Sequence, residues 1–285
     1  MKRVLCALAT SLICLILFSP LSSPASRAAE PADSARAAAP LHPPLWMQAV
    51  SIFELNKDLV PGKVSQKIQE LEKDGRVKSE TDVDVALALD GAGKIKTEVL
   101  KASKDGKDIT AEQRKKVDEA AKKQAKEDAA KKSAKKDAGR GSDEHSHSFS
   151  LEDTPFNPER QDEVRVTETT RGETIDGTSC ACFEFSYPEK RPAGAKGKPA
   201  TIKGKAWIEE SSGHPVKLEY VSDPLPKHVK SMSTTLRYGA DANDAWVVKE
   251  MIFEARGSFL FFGKAIRGDI SLGDYWKYIE PASQK

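Results

Sequence analysis

The fold is decided by residues 201–278, where TIKGKAWIEE (201–210), PVKLEYV (215–221), MSTTLRY (232–238), WVVKEMIFEAR (246–256) and SFLFFGKAIRGDI (258–270) follow one another and end in Tyr275, Trp276 and Tyr278. Each run is short and rich in β-branched and aromatic residues. Gly, Pro, Asn or Asp separates it from the next, which is the pattern of a meandering antiparallel sheet. Within these runs Leu218 and Tyr220 alternate with Lys217 and Glu219, and Met251, Phe253 and Ala255 alternate with Glu250 and Glu254, so one face is apolar and the other polar. Phe259, Leu260, Phe261 and Phe262 are consecutive, which puts large apolar groups on both faces and calls for a cover or a ligand on one of them.

Just upstream, Val164 and Val166 mark one strand and Cys180 to Tyr187 the next. There Ala181, Phe183, Phe185 and Tyr187 form the core-facing set, opposite Cys180, Cys182, Glu184 and Ser186. Cysteines at i and i+2 of a strand have Cα atoms roughly 6.5–7 Å apart, at the upper limit of disulfide reach, so a Cys180–Cys182 bridge is possible but strained. No helix start or adjacent cation in sequence lowers a thiol pKa there. Residues 188–199 read as a Pro/Gly/Lys loop.

Toward the N-terminus, Val83, Val85, Leu87 and Leu89 alternate with Asp82, Asp84, Ala86 and Ala88. Residues 90–93 supply a turn, and 94–100 return as a partner strand, a hairpin that must join the larger sheet to be stable. Leu45, Val50, Phe53 and Leu55 predict an amphipathic helix ending before Pro61. Val64, Ile68 and Leu71 recur at helical spacing, which predicts a second helix over 63–73, and the two helices together are expected to cover the sheet.

Residues 111–138 are Ala, Lys, Glu, Asp and Gln with Val117 as the lone large apolar side chain. This is a charged insertion, helical by propensity or disordered, that can bury no face of its own. Residues 113–140 carry eleven basic and five acidic groups, a local positive excess suited to an anionic membrane surface or an acidic envelope protein. The following loop holds His145 and His147 beside Asp143 and Glu144, a spacing too sparse for zinc, so no metal site and no cofactor is expected.

The chain opens with Lys2 and Arg3, an apolar run from Val4 to Phe18 and an Ala-rich exit at Ala28 and Ala29, which together read as a cleaved secretory signal peptide and a periplasmic address. The run is shorter than the ~20 residues of a membrane span. Bulky Ile13 before Cys14 argues against lipidation there. Removing residues 1–29 leaves 42 basic and 43 acidic groups, a near-neutral chain with no electrostatic basis for nucleic-acid binding. The expected organisation is 1–29 signal peptide, 30–44 flexible leader, 45–110 helices and hairpin, 111–150 charged arm and loop, and 151–285 antiparallel β domain. The fold class is therefore α+β, mainly antiparallel β: a curved meander or half-barrel covered by N-terminal helices. No stretch has the spacing of a catalytic site. His214 and His228 lie in turn regions without a nucleophile partner, so the chain is expected not to be an enzyme.

The sequence of pieces resembles the half-barrel superfamily of periplasmic lipoprotein carriers and receptors, LolA and LolB, and the related sensor domain of RseB. The resemblance is carried by Gly204 to Glu210 followed by Gly213, His214, Pro215, Val216, Lys217 and Leu218, by Asp241 to Val248, and by Ser271 to Tyr275. It spans about 115 residues, from Glu163 to Tyr278. The resemblance implies an apolar groove for an acyl chain or lipidated cargo, lined by Trp207, Leu218, Tyr220, Met251, Phe253, Phe259 and Phe261. Arg237 and Arg256 are the candidates for the family's cargo-gating arginine. The other class of function open to such a chain is a non-catalytic envelope interaction or sensor module with a fully packed sheet, acting through its basic arm.

Overall fold

The structure, a computed structural model, describes residues 42–90, 95–134, 154–189, 200–225, 229–259 and 262–278, with backbone alone for 124–134, 258, 259, 262 and 263. The expected signal peptide, His145, His147, His228 and Phe261 lie outside the described residues.

Helix α1 (Pro44–Asn56) starts with Pro at its first position and buries Trp46, Ala49 and Val50, spaced i, i+3 and i+4 along one stripe. Strands β1 (Leu59–Val60), β2 (Lys63–Leu71), β3 (Val77–Leu89), β4 (Ile95–Lys104) and β5 (Lys107–Asp108) follow, then helix α2 (Thr110–Ala134). A short 3₁₀ turn (Pro158–Arg160) leads into β6 (Arg165–Ile175), β7 (Thr178–Pro188), β8 (Thr201–Glu209), β9 (Pro215–Asp223), β10 (Val229–Ala240), β11 (Trp246–Phe259), β12 (Phe262–Gly273) and β13 (Trp276–Lys277).

Eleven strands form one open antiparallel sheet in the order β5-β4-β3-β2-β12-β11-β10-β9-β8-β7-β6, while β1 and β13 pair separately. The fold is α+β and mainly antiparallel β, as expected. The 83–100 hairpin joins the C-terminal sheet through β2, which pairs with β12 from Val64 opposite Leu272 to Leu71 opposite Ala265.

The expected helix over residues 63–73 is instead strand β2. Val64 and Ile68 fit both periods, being even-numbered members of one strand face as well as i, i+4 neighbours on a helix. Tertiary pairing to β12 and β3 decides between them. The expected boundary between the last two long strands also moves. β11 runs on to Phe259 and pairs it with Phe262, so the turn falls inside the aromatic run rather than before Ser258.

Both sheet edges are managed. Beside β4, Arg114 donates from Nε to Val99 O at 2.8 Å, and the Thr110 hydroxyl accepts from Ala102 N at 2.9 Å, so the first turn of α2 occupies part of the edge. On β6, irregular pairing between Glu168 and Glu173, with Gly172 at positive φ, breaks the flat edge a foreign strand would need. Among the described residues no helix is long and apolar enough to cross a membrane.

Candidate functional site

Strand alternation gives the sheet two unlike faces. On the outer face charges are paired: Lys205 with Glu184 at 3.5 Å, Lys67 with Glu80 at 3.3 Å, Arg237 with Glu250 at 3.5 Å and Arg267 with Glu254 at 3.5 Å across strands, Arg267 with Asp269 at 3.1 Å along its own strand, and Arg237 with Asp176 of the β6–β7 turn. Arg237 and the exposed Arg256 therefore sit away from the apolar side, and Arg237 is held by carboxylates.

Trp207 is on this outer face too. Ala206 and Ile208 take the inner positions of β8, so the indole packs with Cys180 and Cys182, donates to Glu173 Oε2 at 2.7 Å and lies under the Lys217 ammonium at 4.7 Å. It does not line the same surface as Leu218 or Met251. The two cysteines are buried free thiols rather than a bridge, side by side on one strand face as the i, i+2 spacing requires. Burial is the main cause pushing both thiol pKa values up, so neither is a ready nucleophile.

The inner face is built in rows across the strands. One row runs Phe183, Ala206, Leu218, Leu236, Met251, Ile270, Gln66, and all seven are buried. The next runs Phe185, Gly204, Tyr220, Thr234, Phe253, Gly268, Ile68. Here the glycines make room for rings. A Cβ on Gly268 would lie 2.0 Å from Phe253 Cε1, and one on Gly204 would lie 2.6 Å from Phe185 Cζ. In this second row Tyr220, Thr234, Phe253 and Ile68 are half-buried, as are Met232, Ala255 and Ile266 in the row beyond. Of the expected groove residues, the structure thus brings Leu218, Tyr220, Met251 and Phe253 together. Phe259 is placed only as a backbone position at the end of β11.

The difference between rows follows from the cover. Helix α1 packs on β8 and β11, and its Gln48 seats against Gly213 in the β8–β9 turn, so it lies over the end of the inner face that carries that turn. Trp46 fixes it: the indole is fully buried, packs at a tilt against Phe156 with ring centroids 4.8 Å apart and donates from Nε1 to Gln161 Oε1 at 3.0 Å. Beneath the helix is a cavity of about 70 Å³ bordered by Phe53, Phe156, Leu236, Tyr238 and Trp246. That is far below the ~300 Å³ and more of ordinary ligand pockets. A second depression, of about 370 Å³, lies at the β2–β3 turn, lined by Glu70, Glu72, Lys73, Asp74, Lys78 and Lys264, with both charge signs interspersed.

Burial pushes the hydroxyl pKa values of Tyr187, Tyr220, Tyr238 and Tyr275 well above the phenol range, so all four are neutral donors on the apolar side. Sequence reading placed Tyr187 and Tyr220 on the apolar side but missed Tyr238 and Tyr275 there, and it also missed Gln66. For Tyr238 the available signal was its two-residue spacing from Leu236 on β10. For Gln66 there was none while residues 63–73 read as a helix. Among the described residues no group of three or more His, Cys, Asp or Glu side chains is placed to hold a metal ion.

No protein family matches the chain, and no curated protein matches it. Among solved structures it is similar to a DUF1329 family protein from Desulfovibrio piger, with 12% identity, a TM-score of 0.35, and 84% of this chain and 93% of that one covered. It is also similar to a chain of the Pseudomonas aeruginosa MucA/MucB complex, with 7% identity, a TM-score of 0.21, and 82% and 98% covered. Likeness at this level assigns neither family nor activity.

Proposed function

We propose that the chain is an exported, periplasmic, non-catalytic protein that holds an acyl chain or lipidated cargo on the uncovered half of the inner face. The observation that carries this reading is the contrast between adjacent rows. Leu218 and Met251 are sealed, while Phe253, Met232, Ile266 and Ile68 form a half-buried apolar strip across four strands. A strip of this kind is what an apolar ligand would complete. Because Trp46 anchors α1 so deeply, the helix acts as a fixed wall rather than a lid, and the ligand lies beside it.

The test is native mass spectrometry of gently purified protein, followed by lipid extraction and titration with a fluorescent fatty acid. A bound acyl species in wild type, lost in a folded Phe253→Ser variant, supports the reading. A clean apo mass with no uptake of the fluorescent fatty acid overturns it.

The second reading, an envelope interaction module, has its own observation. Arg114 and Thr110 fix the start of α2 to β4, and residues 118–123 beyond it are exposed on every side. The anchored basic helix is thus presented to a partner. Salt-sensitive co-sedimentation with anionic but not neutral vesicles, without acyl uptake, would favour it.

A further inference from the structure

The open half of the inner face ends on charge. Two residues beyond Ile68 on β2 comes Glu70, which pairs with Ile266, and two residues beyond Ile266 on β12 comes Lys264. Glu70 and Lys264 are inner-face positions that also line the depression of about 370 Å³ at the β2–β3 turn, together with Glu72, Lys73, Asp74 and Lys78. The charges there are unevenly paired. Glu70 is held by Lys264 at 4.0 Å, and Glu72 and Asp74 are both held by Arg76, at 3.3 Å and 2.7 Å. Among the described residues Lys73 and Lys78 have no ion-pair partner, and both are exposed.

Two ammonium groups on one depression, beside carboxylates that are already matched, leave it with positive charge for an anion to answer. Each ammonium brings three donors and no acceptor, so the group that completes the pair is an oxyanion with several acceptor oxygens. A phosphate meets that need, with nearly two negative charges and three strong acceptor oxygens at neutral pH. The register decides what the phosphate is attached to. Successive positions on one strand face are about 7 Å apart, so Lys264 is a single step from Ile266 and the depression adjoins the row of Ile266 and Met232. An amphiphile with its chain on that row thus has its head at the depression. Lys104 on β4 is another inner-face cation, sharing the Ile68 row through Thr81 about 10 Å away, and the test must separate it from the depression.

We propose that the depression at the β2–β3 turn is a head-group site for an acyl ligand that carries a phosphate, with Lys73 and Lys78 binding the phosphate oxygens and the chain running back over Ile266, Phe253 and Met232. This rests on the acyl-binding reading above and narrows its ligand to a phosphorylated lipid. Because both lysines are exposed, their attraction is modest and is screened by salt.

The experiment loads the full mature protein with the hydrocarbon fluorophore diphenylhexatriene and displaces it with palmitoylglycerol or palmitoylglycerol phosphate, one chain without and with the charged head. At low salt the phosphate ester is expected to displace it about fivefold better, and the gap is expected to close at about 0.5 M salt. A double variant, Lys73→Gln with Lys78→Gln, is expected to lose the gap while keeping the wild-type thermal midpoint and response to palmitoylglycerol. Lys104→Gln is expected to keep the gap. Equal displacement by the two lipids in wild type, a gap that survives the double variant, or a gap erased by Lys104→Gln overturns the head-group site while leaving the apolar row standing. Failure of wild type to take up diphenylhexatriene overturns the row and this inference together. Glycerol 3-phosphate, added as a competitor of the phosphate ester, separates the sources of phosphate. No competition at millimolar concentration supports a lipid head held by its chain, and competition as strong as the lipid's own overturns the lipid in favour of a free phosphate ester.

Discussion

Two ends of one apolar sheet surface have opposite fates in this protein. At the end carrying the β8–β9 turn, α1 lays Trp46, Ala49 and Val50 onto the strands, and Leu218, Leu236 and Met251 fall to 5% exposure or less. At the other end Phe253 and Met232, on the same strands and the same face, and Ile266 on the neighbouring β12, remain half-buried. The residue types at the two ends are alike, so hydrophobicity does not distinguish core from site here. What distinguishes them is where a thirteen-residue helix stops. The covered end supplies stability, and the uncovered end is left for a ligand.

The largest effect that separates the ends is expected from Trp46→Ala. Removing a fully buried indole that packs against Phe156 and hydrogen-bonds Gln161 should cost about 3–5 kcal/mol in urea unfolding, a drop in midpoint at similar slope. A smaller loss would mean that α1 is not seated as described. Next, the inner tyrosines predict an alkaline limit. Their folded pKa values are raised, so the stability they contribute is full below the ordinary phenol pKa of about 10 and is lost as pH rises above it. The melting midpoint should therefore be insensitive to these groups from pH 8 to about 10 and fall beyond. A flat profile to pH 12 would contradict the burial of the phenols.

At the open end the expectation reverses. Phe253→Ala should cost about 2 kcal/mol, less than a sealed Phe, yet abolish acyl uptake. Gly268→Ala forces the Phe253 ring aside and should cost about 1–3 kcal/mol with a matching loss of uptake. If either leaves uptake unchanged, the half-exposed row is not the site. The smallest effect belongs to the outer face. Arg267→Met removes a guanidinium that is 40% exposed and paired with Glu254 and Asp269, and should shift stability by no more than about 1 kcal/mol without touching uptake.

The strands from Thr201 onward were legible because their alternation is regular and turn residues punctuate it. The 83–100 hairpin was legible for the same reason. Strand β2 was not, and Gln66 is the cause. Val64, Gln66, Ile68 and Glu70 are its inner-face positions, so two of the four are polar and the period-2 signal vanishes, leaving Val64, Ile68 and Leu71 to imitate a helix. Trp207, which the resemblance put on the groove wall, faces the other way for a different reason: its neighbours Ala206 and Ile208 already fill the inner face of β8. Composition alone does not say which of two adjacent apolar residues points inward.

The central claim, a ligand beside a fixed α1, is tested most directly by hydrogen–deuterium exchange of the mature protein with and without palmitoylglycerol. The account predicts new protection in residues 66–70, 251–257 and 264–268 with unchanged exchange in 44–56. Faster exchange across 44–56 on ligand addition would show that the helix lifts as a lid, and no change in the strands would show that the open row binds nothing.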